Sequence, residues 1–131
     1  MSGKAQNVIE QFYENLQSGN FEGAMGLMSD SIEIIFYGPP EIPMTGTYLG
    51  KDGIARFFDI LGQNIELYEF VPTEFIAEGN QVAVIGRERS KVRNTGKVFD
   101  VNWVQVWDVE NNKIMRLRDF FDTASMVSAF S

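Results

Sequence analysis

The chain has 131 residues, is 44% apolar and 13% aromatic, and carries a formal net charge of −7, so we expect one globular domain over residues 1–131 that avoids nucleic acid and anionic membranes. It contains no cysteine and no histidine, which excludes disulfides, Ser-His-Asp and Cys-His nucleophiles, and thiolate or imidazole metal sites. There is no phosphate-binding glycine motif, no secretory apolar stretch and no apolar run of about 20 residues, so we expect a cytoplasmic protein without a cofactor or metal.

The first half of the sequence predicts three helices and one strand. Apolar residues at helical spacing run through KAQNVIEQFYENLQSGN, where Gly19 and Asn20 end the pattern, and FEGAMGLMS predicts a shorter second helix. The branched and aromatic run IEIIFYG predicts a strand, and PPEIPMTGTY, with three of the four prolines, predicts a loop. KDGIARFFDILG is then expected to form the third helix, with Asp52 as its N-cap.

From Ile65 onward the apolar period changes from helical spacing to alternation. Four strands are predicted, in IELYEFVPTEFIA, QVAVIGRERSKV, KVFDVNWVQVWDV and KIMRLRDFFD. They are separated by EGN, RNTG and ENN, which are short hairpin-turn signals. TASMVSAF follows as a terminal helix or tail, with Asp122 as a suitable N-cap. These elements predict an α+β domain in which a curved antiparallel sheet packs on three N-terminal helices.

Strand alternation predicts which polar side chains point into the core. Arginines are rarely fully buried, so the arginine-bearing side of each strand is expected to face outward. In the last strand this reasoning turns Asp119 inward together with Met115 and Leu117. In two neighbouring strands it turns Glu88 and Gln105 inward. Three polar groups are therefore expected to meet in an aromatic interior.

Two inward carboxyl groups could supply an acid and a base without histidine, because neighbouring buried carboxyls titrate apart. Asp119 is the candidate acid/base, Glu88 its partner or a water-positioning group, and Gln105 a hydrogen-bond donor to the reacting oxygen. Tyr13 and Tyr48 could add phenol donors. The residues expected to shape the pocket are bulky and apolar: Phe36, Phe57, Phe75, Trp103 and Met115. The alternative is that the carboxyls lie at a wet cavity mouth or bind an arginine or a tyrosine hydroxyl.

Several segments along the chain resemble one known family. They are FYENLQSGN, LMSDSIEI, GTYLGKDGIARFF, FIAEGNQVAVIGR, NTGKVFDVNWVQVWDV and NKIMRLRDFFDTASM. Their order and spacing resemble the SnoaL-like polyketide cyclase group of the nuclear transport factor 2 and ketosteroid isomerase-like superfamily. The resemblance implies a cone-shaped α+β barrel with a deep apolar pocket, usually in a homodimer. It also implies cofactor-free aldol cyclisation by a pocket aspartate, which corresponds here to Asp119, beside Gln105 at the position of the group's usual histidine.

Two other activities of the superfamily can be compared with this chain. The tyrosine and aspartate of the ketosteroid isomerases fall on Phe12 and Phe36, so steroid isomerisation is not expected. Limonene-epoxide hydrolases use two carboxylates and an arginine around a water molecule. Glu88 and Asp119 are similar to the carboxylates. The arginine falls near Gly86, which cannot serve, although Arg87 or Arg89 could do so if the strand register is shifted.

Three hypotheses for function follow. The first is an enzyme that carries out aldol cyclisation, isomerisation or epoxide hydration on a small apolar substrate. The second is a protein of the same fold that binds an apolar ligand without changing it. The third is a scaffold or dimerisation module whose pocket is filled by side chains. The outer sheet face, with Arg116, Arg118 and Phe120, is the candidate dimer interface because it mixes arginine with apolar residues.

Overall fold

The computed structural model describes residues 3–131 and contains four helices and six strands. In chain order they are α1 (Lys4–Gln17), α2 (Phe21–Gly26), β1 (Met28–Phe36), β2 (Gly46–Leu49), α3 (Gly50–Asn64), β3 (Ile65–Glu78), β4 (Gln81–Val92), β5 (Val98–Glu110), β6 (Lys113–Phe121) and α4 (Thr123–Phe130). The predicted α+β class is confirmed. The expectation of three N-terminal helices is wrong, because β1 and β2 precede α3 and the TASMVSAF segment forms a fourth helix.

All six strands belong to one sheet, in the order β2-β1-β6-β5-β4-β3. Strands β3 to β6 form the predicted antiparallel meander, since short turns reverse the chain between them. The expectation of a wholly antiparallel sheet is wrong, because β1 lies parallel to β6. No turn links these two strands, so the alternating pattern carried no information about their relative direction.

The proline-rich segment contains one strand that the sequence pattern did not reveal. Its last residues form β2, where Tyr48 lies opposite Ile34 of β1 in an antiparallel pair. A four-residue edge strand is too short for its alternation to be recognised. Because α3 begins at Gly50, Asp52 lies in the first helical turn and the predicted N-cap is wrong. Leu49 occupies the N-cap position without a side-chain hydrogen bond.

Helices α1 and α3 cover one face of the sheet, which we call the inner face. Helix α1 buries one side, through Val8, Ile9 and Phe12 among others, against β3 to β6, while α3 packs on β1 to β3. Burial of each large apolar side chain stabilises the fold by about 1.5–3 kcal/mol. Helix α4 packs against β5. Its predicted N-cap is confirmed, since the Asp122 carboxylate accepts a hydrogen bond from the Ser125 backbone N–H. Within residues 3–131, no helix is long and apolar enough to cross a membrane.

The predicted inward orientation of the three polar residues is confirmed. Glu88, Gln105 and Asp119 are 6%, 7% and 2% exposed, respectively. The inward orientation predicted for Met115 is wrong. In the β5–β6 register Asp108 lies opposite Arg116 and the next pair joins Val109 to Ile114, so Met115 is an extra residue in β6. This β-bulge reverses the alternation, which buries Ile114 and turns Met115 outward.

Candidate active site

A cavity of about 560 Å³ lies between the inner face of the sheet and helices α1 and α3. Ten of the side chains that line it are aromatic: Phe12, Tyr13, Phe21, Phe36, Phe57, Phe58, Tyr68, Phe70, Trp107 and Phe121. This volume is within the range of small-molecule sites, about 300–1,000 Å³. The cavity disagrees with the scaffold hypothesis, which expected a cone filled by side chains.

One end of the cavity opens to solvent. Phe21, Leu67 and Tyr68 line the cavity and are 60%, 56% and 45% exposed, which is high for large apolar side chains. They lie at the start of α2 and near the start of β3. Because their side chains touch both cavity and solvent, they form the rim through which a small molecule would pass.

A chain of hydrogen bonds runs across the inner wall of the cavity and ends at a carboxyl group. The Trp107 indole Nε1–H donates to the Tyr13 hydroxyl oxygen at 3.1 Å, and the Tyr13 O–H donates to Gln105 Oε1 at 2.6 Å. The Gln105 Nε2–H then donates to Asp119 Oδ1 at 2.8 Å. Gln105 and Asp119 lie opposite each other on β5 and β6, so the strand register brings them together.

Every donor in this chain points toward Asp119. Tyr13 donates to the carbonyl oxygen of Gln105, which leaves the amide nitrogen to face the carboxyl group. Such an arrangement holds the Asp119 side chain in one orientation and favours its ionised form. Tyr13 and Trp107 therefore act on Asp119 through Gln105.

The second carboxyl group reaches the same cavity from β4. Glu88 lines the cavity and accepts a hydrogen bond at its Oε2 from the Ser90 hydroxyl at 2.8 Å. Glu88 lies opposite Phe70 of β3, and Phe70 comes two residues after the rim residue Tyr68. Glu88 is therefore placed toward the rim, whereas Asp119 lies deeper, beside Gln105.

Burial dominates the titration of both carboxyl groups. It raises the pKa of Asp119 to about 7, with a smaller increase from the nearby Glu88 charge and a decrease from the Gln105 hydrogen bond. Burial likewise raises the pKa of Glu88 to about 7 against the opposing hydrogen bond from Ser90. Burial also raises the pKa of Tyr13, so its phenol stays protonated at neutral pH. The cavity thus contains two groups able to accept or donate a proton near pH 7.

Of the residues expected to shape the pocket or supply phenol donors, three line the cavity and four do not. Tyr13, Phe36 and Phe57 lie on its surface. Tyr48, Phe75, Trp103 and Met115 do not. The Tyr48 hydroxyl donates to the Met44 carbonyl oxygen at 2.7 Å, so it is not available to a ligand. Phe75 packs edge-on behind Tyr13, with ring centroids 6.0 Å apart.

Trp103 occupies the space that an epoxide-hydrolase arginine would need. It stacks on Phe70 with ring centroids 4.6 Å apart, and a Cβ added at Gly86 would lie 2.2 Å from Trp103 Cζ2. The two nearby arginines are on the opposite side of β4, where Arg87 binds Glu69 at 2.6 Å and Arg89 is exposed. Among the lining residues in the described part of the chain, none is arginine. The geometry therefore disagrees with the epoxide-hydrolase alternative.

Several cavity residues were not identified as such from the sequence. Trp107 shares the inner face of β5 with Gln105, and this two-residue spacing was the available signal, but the same pattern also fits ordinary core packing. Alternation also turns Phe121 inward with Asp119, and Phe121 lines the cavity, whereas Phe70 is only half-buried and could not be distinguished from a surface residue. Phe58 and Leu61 of α3 pack at the edge of the core and also line the cavity.

A second depression of about 550 Å³ lies on the other side of the molecule, where Met115 and Arg116 contribute to its lining. It is more open than the aromatic cavity, and its lining has no buried carboxyl group. Within residues 3–131, no group of three or more acidic side chains is placed to hold a metal ion. The aromatic cavity with Glu88, Gln105 and Asp119 is therefore the candidate active site.

This fold and cavity define a class of α+β proteins in which a curved sheet and helices enclose an apolar chamber with a few polar groups. The sequence profile of the SnoaL-like domain matches residues 9–117. The chain therefore belongs to the SnoaL-like domain family, as the resemblance in its sequence predicted. No curated protein sequence matches the chain.

Solved structures share the fold over almost the whole chain. A nuclear transport factor 2-like protein from Burkholderia thailandensis is 27% identical, with a TM-score of 0.88 over 100% of this chain and 99% of that one. Another from Burkholderia xenovorans is 25% identical, with a TM-score of 0.87 over 98% and 96% of the two chains. TerC, crystallised with polyporic acid, is 23% identical, with a TM-score of 0.86 over 98% of both chains.

Proposed function

We propose that this protein carries out acid/base chemistry on a small apolar molecule held in the cavity, with Asp119 moving the proton. The observation that supports this most directly is the position of Asp119, which lines an aromatic cavity while its Oδ1 is held by the Gln105 amide. A group whose pKa is about 7 exchanges protons efficiently at neutral pH. The reaction class is isomerisation or intramolecular aldol closure, and no step in it needs a cofactor.

The proposed reaction begins with proton abstraction. The Asp119 carboxylate takes a proton from a carbon beside a carbonyl group, and the electron pair of the broken C–H bond forms an enolate. Gln105 has a second amide N–H, besides the one bound to Asp119, that can donate to the enolate oxygen. Return of the proton to another carbon completes an isomerisation. In an aldol closure the enolate carbon attacks a second carbonyl carbon, and Asp119 protonates the new alkoxide.

Glu88 has a supporting part in this proposal. Its charge raises the pKa of Asp119, so its protonation state changes the basicity of the reacting group. Its position toward the rim also suits contact with the part of a substrate that lies farthest from the reacting carbon. The Glu88→Gln variant is therefore expected to shift the pH dependence of the reaction to lower pH, with a smaller loss of rate than Asp119→Asn.

The first test measures proton abstraction without knowledge of the natural substrate. Apolar ketones such as 2-tetralone are incubated with the protein in D₂O, and exchange of the hydrogens beside the carbonyl is followed by proton NMR. The Asp119→Asn variant is expected to lose the enzyme-dependent rate by at least about 100-fold, because it cannot accept the proton.

Asp100→Asn provides the matched control, because Asp100 is exposed on the outer side of β5. This variant should keep the parent rate. Equal exchange by Asp119→Asn and the parent would reject Asp119 as the base. If the parent binds these ketones but exchanges none of their hydrogens above the buffer rate, the acid/base proposal is wrong.

A ligand-binding protein is the second candidate function. Gln105 cannot shuttle protons as a histidine does, which limits the chemistry that the cavity can support. TerC, which shares the fold, was crystallised with polyporic acid, and this supports a small-molecule role for the cavity. Polyporic acid is therefore a sensible first ligand to test by calorimetry. Binding without turnover, and with affinity unchanged in Asp119→Asn, would favour this candidate.

We also propose a cytoplasmic homodimer formed through the outer sheet face. Ile85 and Val104 lie beside Phe120 across three strands, and the exposed Phe120 stacks on the exposed Tyr37 with ring centroids 4.8 Å apart. Arg118 Nε on the same face is buried without a hydrogen-bond partner. Phe120→Glu is expected to convert a dimer to a monomer in light-scattering measurements. A monomeric parent protein would reject this proposal.

A further inference from the structure

Among the described residues, the two buried carboxyl groups of the cavity, Glu88 and Asp119, have no ion-pair partner. Asp119 receives its side-chain hydrogen bond from the neutral Gln105 amide, and Glu88 receives one from the neutral Ser90 hydroxyl. Of the two ion pairs found within residues 3–131, one joins Arg87 to the cavity-lining Glu69 and the other joins Arg116 to Asp108 on the outer face, so neither includes Glu88 or Asp119. An ionised carboxylate in this apolar chamber is therefore an uncompensated buried charge.

Two arginines contact residues of the cavity lining, but neither pairs with Glu88 or Asp119. Arg87 and Arg89 lie on the outer side of β4, where Arg87 binds Glu69 at 2.6 Å and the Arg89 guanidinium is 5.4 Å from the centroid of the Tyr68 ring. Among the described residues that line the cavity, none is lysine or arginine. The chain as a whole carries a charge of −7, which also attracts cations.

The remaining wall of the cavity offers aromatic rings. Six of them surround the interior, each from a different element: Tyr13 (α1), Phe36 (β1), Phe57 (α3), Phe70 (β3), Trp107 (β5) and Phe121 (β6). Aromatic faces carry partial negative charge and attract cations. The carboxylates and the aromatic rings therefore both favour a positively charged ligand.

We propose that the cavity selects a ligand with an apolar body and one positive charge, such as an aromatic amine in its ammonium form or a quaternary ammonium compound. This ligand class rests on the proposed function, because both concern the same cavity. Together they narrow the substrate to a carbonyl compound that also carries an amine. The ammonium group lies against Glu88 toward the rim, while the reacting carbon reaches Asp119 deeper in the cavity.

The balance of charges explains why such a ligand is preferred over a neutral one. A cation loses its hydration on entering an apolar site, and this loss opposes binding. Here the carboxylates are already buried by the fold. A bound cation neutralises their charge, and this gain offsets the cost of removing the cation's own hydration. A neutral isostere gains the same apolar contacts without that compensation, and an anion adds repulsion.

The preference should depend on pH in a defined direction. The titratable side chains that line the cavity are Tyr13 from α1, Tyr68 and Glu69 from β3, Glu88 from β4 and Asp119 from β6. Glu69 is bound to an arginine, so the carboxyls of Glu88 and Asp119, whose pKa values are raised to about 7, change charge in the neutral range. Cation affinity is therefore expected to increase as pH rises from 6 to 8.

Three ligands of one shape test the proposal. Benzyltrimethylammonium is cationic, neopentylbenzene is its neutral carbon isostere, and phenylmethanesulfonate is an anion with a similar tetrahedral head. None of them titrates near neutral pH, so any pH dependence arises from the protein. Binding is followed by tryptophan fluorescence and by the indole NMR signal of Trp107, which lines the cavity. At pH 8 the cation is expected to bind at least about tenfold more tightly than the neutral isostere.

The Asp119→Asn and Glu88→Gln variants are expected to reduce this cation preference, and the double variant to remove it, while affinity for neopentylbenzene is kept. The retained neutral affinity shows that the variants are folded. Asp100→Asn removes a carboxylate from the exposed outer side and should keep the preference. Equal affinity of cation and neutral isostere, tighter binding of the sulfonate, or no cation binding at millimolar concentration would overturn the proposal.

The outcomes also separate this proposal from the proposed function. Benzyltrimethylammonium has no exchangeable hydrogen beside a carbonyl, so its binding reports charge selection alone. Loss of ketone exchange in Asp119→Asn without any charge preference would leave the acid/base proposal intact and reject the ligand class. A clear cation preference in a protein that exchanges no ketone would instead identify a binding protein for apolar cations.

Discussion

Aspartate side chains have opposite environments on the inner and outer faces of the sheet. On the outer face, Asp108 binds Arg116 at 2.7 Å and both side chains remain accessible to solvent. On the inner face, Asp119 is buried and is held by the neutral amide of Gln105. Successive residues of a strand point to opposite faces, so these two environments are separated by the thickness of one backbone layer.

The difference shows that burial and the choice of partner, more than residue type, decide what a carboxyl group can do. A carboxylate paired with arginine in solvent contributes a modest attraction and remains charged. A buried carboxyl with neutral partners keeps a proton to higher pH and becomes a candidate acid/base. The inner face thus favours reactivity at the expense of stability.

The largest stability effect expected from this comparison comes from removing an inner-face charge. Because the folded pKa of Asp119 or Glu88 is raised to about 7, the stability linked to its proton is fully present below the ordinary carboxyl pKa and is lost as pH rises through 7. Asp119→Asn and Glu88→Gln are each expected to increase the free energy of unfolding at pH 8 by about 2–4 kcal/mol. At pH 4, each should differ little from the parent.

Urea denaturation at the two pH values measures this effect. Asp108→Asn is expected to give no such increase in stability at pH 8, because the Asp108 carboxylate is accessible to solvent and is bound by Arg116 and by the Gln81 amide. An inner-face variant that is no more stable than the parent at pH 8 would show that water or a counter-ion solvates the cavity carboxyls.

A smaller effect is expected from filling the space between Trp103 and the backbone of β4 at Gly86. A Cβ at this position would lie 2.2 Å from Trp103 Cζ2 and 2.5 Å from the Val71 carbonyl oxygen. Gly86→Ala is expected to destabilise the protein by about 1–3 kcal/mol through overpacking, as measured by thermal or chemical unfolding. Gly26→Ala is the matched control, since nothing lies within 4 Å of its added Cβ. Equal stability of the two variants would mean that both the Trp103 indole and the β3 backbone at Val71 can shift at little cost.

The smallest effect is expected on the outer face. Arg116→Met breaks the ion pair with Asp108 and should reduce the free energy of unfolding by less than about 1 kcal/mol, because water screens the pair. Measurement of unfolding at low and high salt checks this, since the difference between variant and parent should shrink as salt increases. A loss of several kcal/mol would contradict the contrast between the faces.

Much of the fold and part of the candidate site could be predicted from the sequence. Alternation placed Glu88, Gln105 and Asp119 on the inner face because long strands repeat it many times. It failed for Met115, where a single extra residue in β6 reverses the pattern without changing residue type. The parallel pairing of β1 with β6 was also beyond reach, since it depends on contacts between segments far apart in the chain.

The cavity itself could be only partly anticipated. Trp103 and Trp107 occupy equivalent positions on one strand, yet Trp107 lines the cavity and Trp103 packs on Phe70 outside it. Which of two inward aromatics borders a cavity depends on the helices packed above the sheet, and strand periodicity contains no information about them. The orientation of the Gln105 amide likewise depends on Tyr13, which comes from α1.

The parallel pairing of β1 with β6 has a consequence for the order of folding. Strands β3 to β6 are joined by short turns and can associate early, whereas the contact between Phe36 and Asp119 must close a loop that includes most of the chain. Until β1 docks, one side of β6 remains open to water, and the Asp119 carboxyl can ionise as in a free peptide. Because burial raises the pKa of Asp119 to about 7, its carboxyl group is expected to take up a proton late on the folding pathway when the pH is below 7, so the final folding step should slow as pH rises through 7.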